Sequence, residues 1–183
     1  MQNLKQLNTD LKTYLEEITE QFVKDLVQIL EGENADYLNG KSKTDIVAYY
    51  FEYEYDHLDI SAWTVDKSGA IATKPVLLLT QREKQSHNKT DWNALLPEKI
   101  WKAASDFQEQ HEDDDDFDDW WDEYNEEKYE LFENWFFDGW KKASIETESR
   151  VDAYFSVHDT YFKTDLNTLQ TINDDEIAER YTS

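Results

Sequence analysis

A run of acidic residues interleaved with aromatic ones occupies positions 107 to 142, which read FQEQHEDDDDFDDWWDEYNEEKYELFENWFFDGWKK. Residues 109–130 include thirteen acids and one lysine, a local charge of −12 in a chain whose formal net charge is −24. Acid-rich segments that stay disordered contain few aromatic residues. Here aromatic side chains continue through the acids, at Phe117, Trp120, Trp121, Tyr124 and Tyr129. The combination predicts a folded, amphipathic segment with a negative outer surface.

We divide this run into a loop and a helix. Residues 109–117 are predicted to form an exposed acidic loop, because most of them are acids. From Asp118 onward, bulky side chains recur at steps of three and four, which is typical of a helix with one buried face. The predicted inner positions are Trp121, Tyr124, Lys128, Leu131, Phe132, Trp135, Phe136 and Trp140. Trp120 falls outside that stripe and is expected to point outward.

The first thirty residues carry a second helical repeat. Its apolar positions are Leu4, Leu7, Leu11, Leu15, Ile18, Phe22, Leu26 and Ile29. Gly32 follows as the expected end of the helix. The repeat predicts a long N-terminal amphipathic helix that packs on the core, with a coiled-coil dimer seam as the alternative. The chain is therefore expected to be a monomer or a homodimer.

Residues 46–55 and 58–65 alternate in the manner of two strands joined by Asp56 and His57, which predicts a β-hairpin. The cross-strand pairs expected on its core face are Tyr55–Leu58, Tyr53–Ile60 and Phe51–Ala62. The opposite face carries Glu52, Glu54, Asp59 and Ser61, then Tyr50 beside Trp63. Glu54 lies opposite Asp59 in this register, and like charges so placed are destabilising. Water, a cation or a basic side chain of a partner is expected to compensate for them.

The remaining patterns are shorter. Residues 70–79 predict a third strand, with Pro75 at an edge or a bulge. A helix is expected to begin near Pro97, residues 150–162 alternate as a strand, and residues 174–181 predict a short terminal helix. Together these elements predict a single α+β domain spanning residues 1–183. Its antiparallel sheet of about four or five strands is packed by helices.

The charge balance limits the partners of this chain. Its 42 acids against 18 bases oppose direct contact with nucleic-acid phosphates and with anionic membranes. Basic proteins and cations are favoured instead. No cysteine is present, which excludes disulfides and thiolate metal sites. No apolar run suits a membrane span or a signal peptide, so a cytoplasmic location is expected.

Few residues indicate chemistry. The acids near residue 114 lack the glycine at position six and the glutamate at position twelve that a calcium-binding EF-hand loop needs together. His57 and His158 each adjoin an aspartate and are candidate metal ligands if the strand ends meet. No phosphate-binding loop, dinucleotide fingerprint, nucleophile elbow or zinc-protease motif occurs. We therefore expect no catalytic residues and no cofactor.

Three segments resemble those of small acidic proteins that bacteria make as immunity partners of polymorphic toxins. They are AYYFEYEYDHLDISAWTVDKSG, FENWFFDGWKKA and YFSVHDTYFKTDLNT, and the resemblance covers residues 46–167. The similarity lies in an aromatic antiparallel hairpin, acidic helices and an F-x-x-W segment before a lysine pair. Such proteins occlude a toxin, often a basic nuclease, without catalysis. The resemblance implies that the acidic surface faces the toxin.

The sequence thus predicts a non-catalytic acidic protein that binds a basic protein partner, such as a toxin domain. The candidate partner-binding residues are Asp113, Asp114, Asp115, Asp116, Asp118, Asp119, Trp120, Glu123, Glu52, Glu54 and Asp59. One alternative is a DNA mimic whose carboxylates imitate phosphates. Another is a metal-dependent protein that uses His57 and His158. A third is a domain whose charge serves solubility alone.

Overall fold

The computed structural model describes residues 2–33, 35–79 and 95–181. Helices in these ranges are α1 (Gln2–Leu30), α2 (Glu98–His111), α3 (Phe117–Glu146) and α4 (Asp174–Tyr181). The strands are β1 (Ile46–Tyr53), β2 (Ile60–Asp66), β3 (Val76–Leu78), β4 (Asp152–Val157), β5 (Phe162–Asp165) and β6 (Gln170–Asn173). A short 3-10 turn (Lys43–Asp45) precedes β1. The strands form one sheet in the order β3-β2-β1-β4-β5-β6.

The fold is α+β, as predicted, but the sheet has six strands and is mixed. β1 and β4, the two central strands, run parallel, whereas the other neighbours are antiparallel. Parallel neighbours need a long crossover connection, and here the chain passes through β2, β3, α2 and α3 between them. The predictions of an antiparallel sheet and of four or five strands are therefore wrong. β5 and β6 have four residues each, too few for alternation to identify them.

Helices α1 and α3 pack against one face of the sheet through an aromatic core. Phe136 of α3 stacks on Phe155 of β4 with ring centroids 4.1 Å apart. It also lies 5.3 Å from the rings of Phe51 in β1 and Phe22 in α1. These contacts explain why a chain of such high charge folds, because each buried ring removes a large apolar area from water.

The apolar stripe of α1 is used within the chain. Five of its eight predicted positions are buried, and Leu7, Ile18 and Ile29 are partly buried. The stripe packs into the same core as α3. α1 ends where Gly32 adopts a positive φ of 76° and Glu33 N–H donates to the carbonyl of Gln28 at 2.8 Å. This is the left-handed helix end that glycine favours.

The hairpin register is confirmed for Tyr53–Ile60 and Phe51–Ala62. The Tyr50–Trp63 pair is also present, with the rings stacked at 5.8 Å. The pairing of Tyr55 with Leu58 is wrong, because β1 ends at Tyr53 and residues 54–59 form a loop.

Leu58 decides the shape of this loop. Its side chain is fully buried, its φ is +56°, and its N–H donates to the carbonyl of Glu54 at 2.9 Å. Tyr55 is 47% exposed instead of facing the core. Asp-His is a poor pair for a tight two-residue turn, so the chain takes a wider loop that buries the leucine.

Two other segments differ from the prediction, and two agree with it. The third strand covers only Val76–Leu78, directly after Pro75, and not residues 70–79. The exposed acidic loop predicted at 109–117 is shorter, at 112–116, since α2 continues to His111 and α3 begins at the buried Phe117. Within residues 150–162 a strand is present as predicted, but β4 covers only Asp152–Val157 and β5 begins at Phe162. The short helix predicted at 174–181 is α4.

Candidate protein-interaction site

The turn between α2 and α3 holds the densest acids in an ordered conformation. We define the acidic corner as residues 112–119, which comprise this turn and the start of α3. Asp114 N–H donates to the carbonyl of His111 at 2.9 Å, and Phe117 N–H donates to the carbonyl of Asp114 at 3.0 Å. The Asp114 carboxylate also lies 2.7 Å from His111 Nδ1. The acids therefore project from a hydrogen-bonded turn.

A separate hydrophobic cluster supports the acidic corner from beneath. Its buried members are Leu4 of α1, Ala104 and Phe107 of α2, and Phe117 and Tyr124 of α3. Trp121 stacks on Phe117 with centroids 5.6 Å apart. Three helices thus meet under the acids, and rotation of any one of them would expose apolar surface.

The expected contrast between Trp120 and Trp121 is absent. Both indoles are partly buried, and both pack against this hydrophobic cluster. The N-terminal part of α3 is contacted by α1 as well as by α2, so a residue outside the predicted stripe still meets a neighbour. Trp120 also contacts His111 edge-on at 6.4 Å. Only part of the Trp120 ring is open to a partner.

Most candidate acids of the corner are exposed and electrostatically uncompensated. Asp113, Asp115, Asp116, Asp118 and Asp119 form no salt bridge with any described residue. The acids at the start of α3 also suit the positive end of the helix dipole. A high density of negative charge therefore remains at this surface.

Glu123, one turn further along α3, differs from those acids. Its Oε1 lies 2.9 Å from Nζ of Lys5 in α1, and both side chains are more than half exposed. The hydrogen bond to Glu123 raises the pKa of Lys5. An exposed pair of this kind contributes little to stability. Lys5 was not predicted to take part, because nothing in the sequence relates it to a residue more than a hundred positions away.

The second group of candidate acids, Glu52, Glu54 and Asp59, lies at the hairpin end of the sheet. Glu54 N–H donates to the carbonyl of Asp59 at 3.2 Å, so these residues are neighbours as predicted. Burial is the main cause that raises the pKa of Asp59. The compensating basic group comes from the chain itself, since His158 N–H donates to the carbonyl of Tyr53 at 3.0 Å and holds the imidazole here.

The His158 ring sits among carboxylates. Its Nδ1 lies 2.9 Å from Glu52 Oε2, and its Nε2 lies 3.4 Å from Asp159 and 3.9 Å from Glu54. The hydrogen bond to Glu52, followed by the charges of Asp159 and Glu54, raises the pKa of His158. This end of the sheet is therefore partly neutralised whenever the imidazole is protonated.

The two acidic groups are separate patches. Tyr55 of the hairpin loop contacts Tyr129 of α3 with centroids 4.9 Å apart. Asp118 precedes Tyr129 by eleven residues, about 16 Å along a helix that rises 1.5 Å per residue. The N-terminal part of α3 instead packs on α1 and α2. A partner that covers the acidic corner need not reach the hairpin end.

The metal hypothesis gains no ligand set from the structure. His57 packs edge-on against Trp101 of α2 at 5.3 Å, whereas His158 bonds Glu52. Across the described ranges, no group of three or more histidine and acidic residues is arranged to hold a metal ion.

Lys128, which the sequence places on the inner stripe of α3, is buried with its charged group among rings. It is 5% exposed, and its Nζ lies 4.6 Å from the ring centroid of Tyr129 and 5.5 Å from that of Tyr124. Burial lowers the pKa of Lys128 to about 8, although the charge of Asp56 opposes this effect. A positive charge thus lies beneath the acidic face of α3.

Comparison with known proteins found no matching family model, no similar curated protein and no similar solved structure. Within residues 2–33, 35–79 and 95–181, no helix combines the length and the apolar character that a membrane crossing requires. Functional inference therefore depends on the site itself.

Proposed function

We propose that this protein is a non-catalytic binding protein whose acidic corner docks a basic protein. The observation that carries the proposal is the exposed, unpaired acids of residues 112–119 on a turn held by three packed helices. Because the backbone that carries the charges is ordered before the partner arrives, less conformational entropy is lost on binding than for a disordered segment. The negative field would also accelerate encounter with a cationic surface.

Aromatic surface beside the charge supports the same proposal. Trp120 is partly exposed next to the acids, and tryptophan is enriched among the residues that contribute most to protein interfaces. Charge would then set the association rate and orientation, and the indole would slow dissociation. Raising ionic strength should lower the association rate more than it raises the dissociation rate.

By the resemblance to immunity proteins, we propose that the basic partner is a toxin domain that this protein neutralises in the cytoplasm. The direct test is co-expression with the product of each adjacent reading frame. One of these products should arrest growth alone and should be bound and neutralised by this chain. If no adjacent product is toxic, the immunity role is removed while a different basic partner remains to be tested.

A charge-neutralised variant tests the docking surface. Asp113, Asp114, Asp115 and Asp116 are changed together to Asn, which should weaken binding about tenfold if each exposed charge contributes about 0.3–0.5 kcal/mol. The matched control changes four exposed acids of α1 and its C-terminal turn, Glu16, Glu17, Glu20 and Glu31, to Gln. This control changes the net charge by the same amount, and its affinity for the partner should stay within about twofold of that of the original protein. Equal losses in both variants would show that only the total charge matters.

Exposed acids at regular intervals on α3 favour the DNA-mimic alternative. Asp118, Asp122, Glu126 and Glu130 are all exposed and follow one another every four residues, about 6 Å along the helix. A mimic of this kind would compete with duplex DNA for one site on its target. Simultaneous binding of DNA and this protein to the same partner would exclude it.

A further inference from the structure

A small cleft of about 10 Å³ lies between the N-terminal parts of α1 and α3. Lys5 and Asn8 line it from α1, and Trp120, Glu123 and Glu127 line it from α3. Such a volume holds about one water molecule. Only a water or the tip of a larger polar group can therefore enter without movement of the walls.

Asn8, which lines this cleft, carries an unsatisfied acceptor. It is 2% exposed, and its Nδ2 donates to the carbonyl of Tyr124 at 3.2 Å and to Glu127 Oε2 at 2.8 Å. These two acceptors fix the orientation of the amide, because a flipped amide would place Asn8 Oδ1 against the Tyr124 carbonyl oxygen and the Glu127 carboxylate. Asn8 Oδ1 is buried and accepts no hydrogen bond from any described residue. Buried acceptors are normally satisfied, so Asn8 Oδ1 lacks its expected donor.

The charges around the cleft determine which donor fits. Glu123 and Glu127 contribute two carboxylates, and Lys5 is bound to Glu123 by an exposed ion pair. Such pairs are weak, so a cation that arrives with better geometry displaces Lys5. A guanidinium group presents five N–H donors in a planar fork and stacks on aromatic rings. An ammonium group is more strongly hydrated and cannot stack in this way.

We propose that this cleft receives the guanidinium group of an arginine side chain from the basic partner. The arginine donates to Asn8 Oδ1 and to the carboxylates of Glu123 and Glu127, lies against the indole of Trp120, and releases Lys5 from Glu123. The inference rests on the proposed function, since it names the partner group that the neighbouring surface recognises. Lys5 acts as an internal competitor that keeps the cleft closed to weakly bound cations.

Short peptides test the cleft without the natural partner. The probes are acetyl-Gly-Arg-Gly-amide and the same peptide with lysine or citrulline in place of arginine, titrated at low ionic strength. Citrulline keeps the shape of arginine without its charge. NMR shifts of the Trp120 indole N–H and the Asn8 side-chain amide report on occupancy. We expect arginine to bind about tenfold more tightly than citrulline, with lysine between them.

Two variants and one control separate this binding from general attraction. Lys5→Gln removes the competitor and should tighten arginine binding about two- to fivefold. Glu127→Gln removes one carboxylate, can still accept from Asn8, and should weaken binding about tenfold. The control, Glu126→Gln, removes one negative charge at an exposed neighbouring residue, and its affinity for the arginine peptide should stay within about twofold of the original.

Three results would overturn the inference: equal binding of citrulline and arginine, no tightening in Lys5→Gln, or equal losses in Glu126→Gln and Glu127→Gln. Equal binding of the citrulline and arginine peptides would mean that the cleft holds a water molecule and not a guanidinium group. If the arginine peptide fails while a basic partner still depends on Asp113 to Asp116 for binding, this inference falls and the proposed function stands. If the peptide occupies the cleft but no basic protein binds, the proposed function falls instead.

Discussion

The buried lysine beneath the acidic face gives the most quantitative prediction. Lys128 is 5% exposed, and its Nζ contacts the rings of Tyr129 and Tyr124. Burial lowers its pKa from 10.5 to about 8. The folded state therefore disfavours the charged form by about 3 kcal/mol, at roughly 1.4 kcal/mol for each tenfold change in the protonation equilibrium. We expect Lys128→Met, which keeps the chain length but removes the charge, to stabilise the protein.

The net gain is smaller than that figure, because the substitution also removes two cation–π contacts. Together, two such desolvated contacts contribute about 2 kcal/mol, which leaves a gain of about 1 kcal/mol at pH 7. For a chain of this length the midpoint of thermal unfolding should rise by about 2–4 °C. Urea unfolding followed by tryptophan fluorescence would measure the free energy directly.

The pH dependence separates charge burial from a packing effect. Since the pKa of Lys128 is lower in the folded state, the unfolded chain binds more protons between about pH 8 and 10.5. The stability of the original protein should therefore rise as the pH increases from about 7.5 to 9, where unfolded tyrosines, with a pKa near 10, are still mostly protonated. Lys128→Met should lack this rise.

Lys141→Met is the matched control for this experiment. Lys141 is exposed on the same helix, and its loss makes the same change in net charge. In a chain whose net charge is −24, removal of an exposed cation should be neutral or slightly destabilising. Lower stability of Lys128→Met than of the original protein at pH 7 would contradict a net cost of burying the Lys128 charge. The same holds if the stability of the original protein does not rise above pH 7.5.

Two further predictions concern the core and the hairpin end. A Cβ at Gly139 would lie 2.3 and 2.6 Å from ring carbons of the buried Phe22. Gly139→Ala should therefore destabilise the protein by about 2 kcal/mol, even though the higher helix propensity of alanine favours the variant by about 1 kcal/mol. Asn134→Ala, at an exposed site on the same helix, is its control and should not lose stability in urea. The raised pKa of His158 means that its bond to Glu52 stabilises the fold fully below pH 6.5 and less as the pH rises through that pKa. His158→Gln should therefore lower the free energy of unfolding by about 0.5 kcal/mol at pH 5.5 and by almost nothing at pH 9 in urea unfolding. An equal loss at both pH values would contradict a stabilising bond between protonated His158 and Glu52.

The elements that the sequence predicts well are those with a local period. The stripe of α1 and the alternation in the hairpin both repeat every few residues, so burial on one face is visible within a short window. The register of Tyr53 with Ile60 follows from the same alternation. α4 is marked by its acidic first turn and by reciprocal hydrogen bonds between Asn173 and Glu176, both at 2.9 Å.

Features set by distant residues were missed for a common physical reason. β1 pairs with β4 across about a hundred residues, and neither strand carries a mark of its neighbour. The burial of Leu58 depends on the segment that leads into α2. Leu96, two residues before that helix, donates its N–H to the carbonyl of His57 at 2.9 Å. Such contacts are chosen by the packing of the assembled helices and strands, not by propensity in the loop.

The same limit applies to the two acidic groups, which look alike as sequence but differ in the folded protein. Glu52 and Glu54 are paired with His158, which follows the adjacent strand β4. The acidic corner has His111 on Asp114 and Lys5 at its border on Glu123, whereas its other five aspartates are unpaired among the described residues and face solvent. A group that already has a counter-charge gains less from a basic partner, because binding exchanges one pair for another. The acidic corner, and not the hairpin end, should therefore account for most of the salt dependence of association, and neutralising Glu52 and Glu54 should change the association rate less than neutralising two aspartates of the corner.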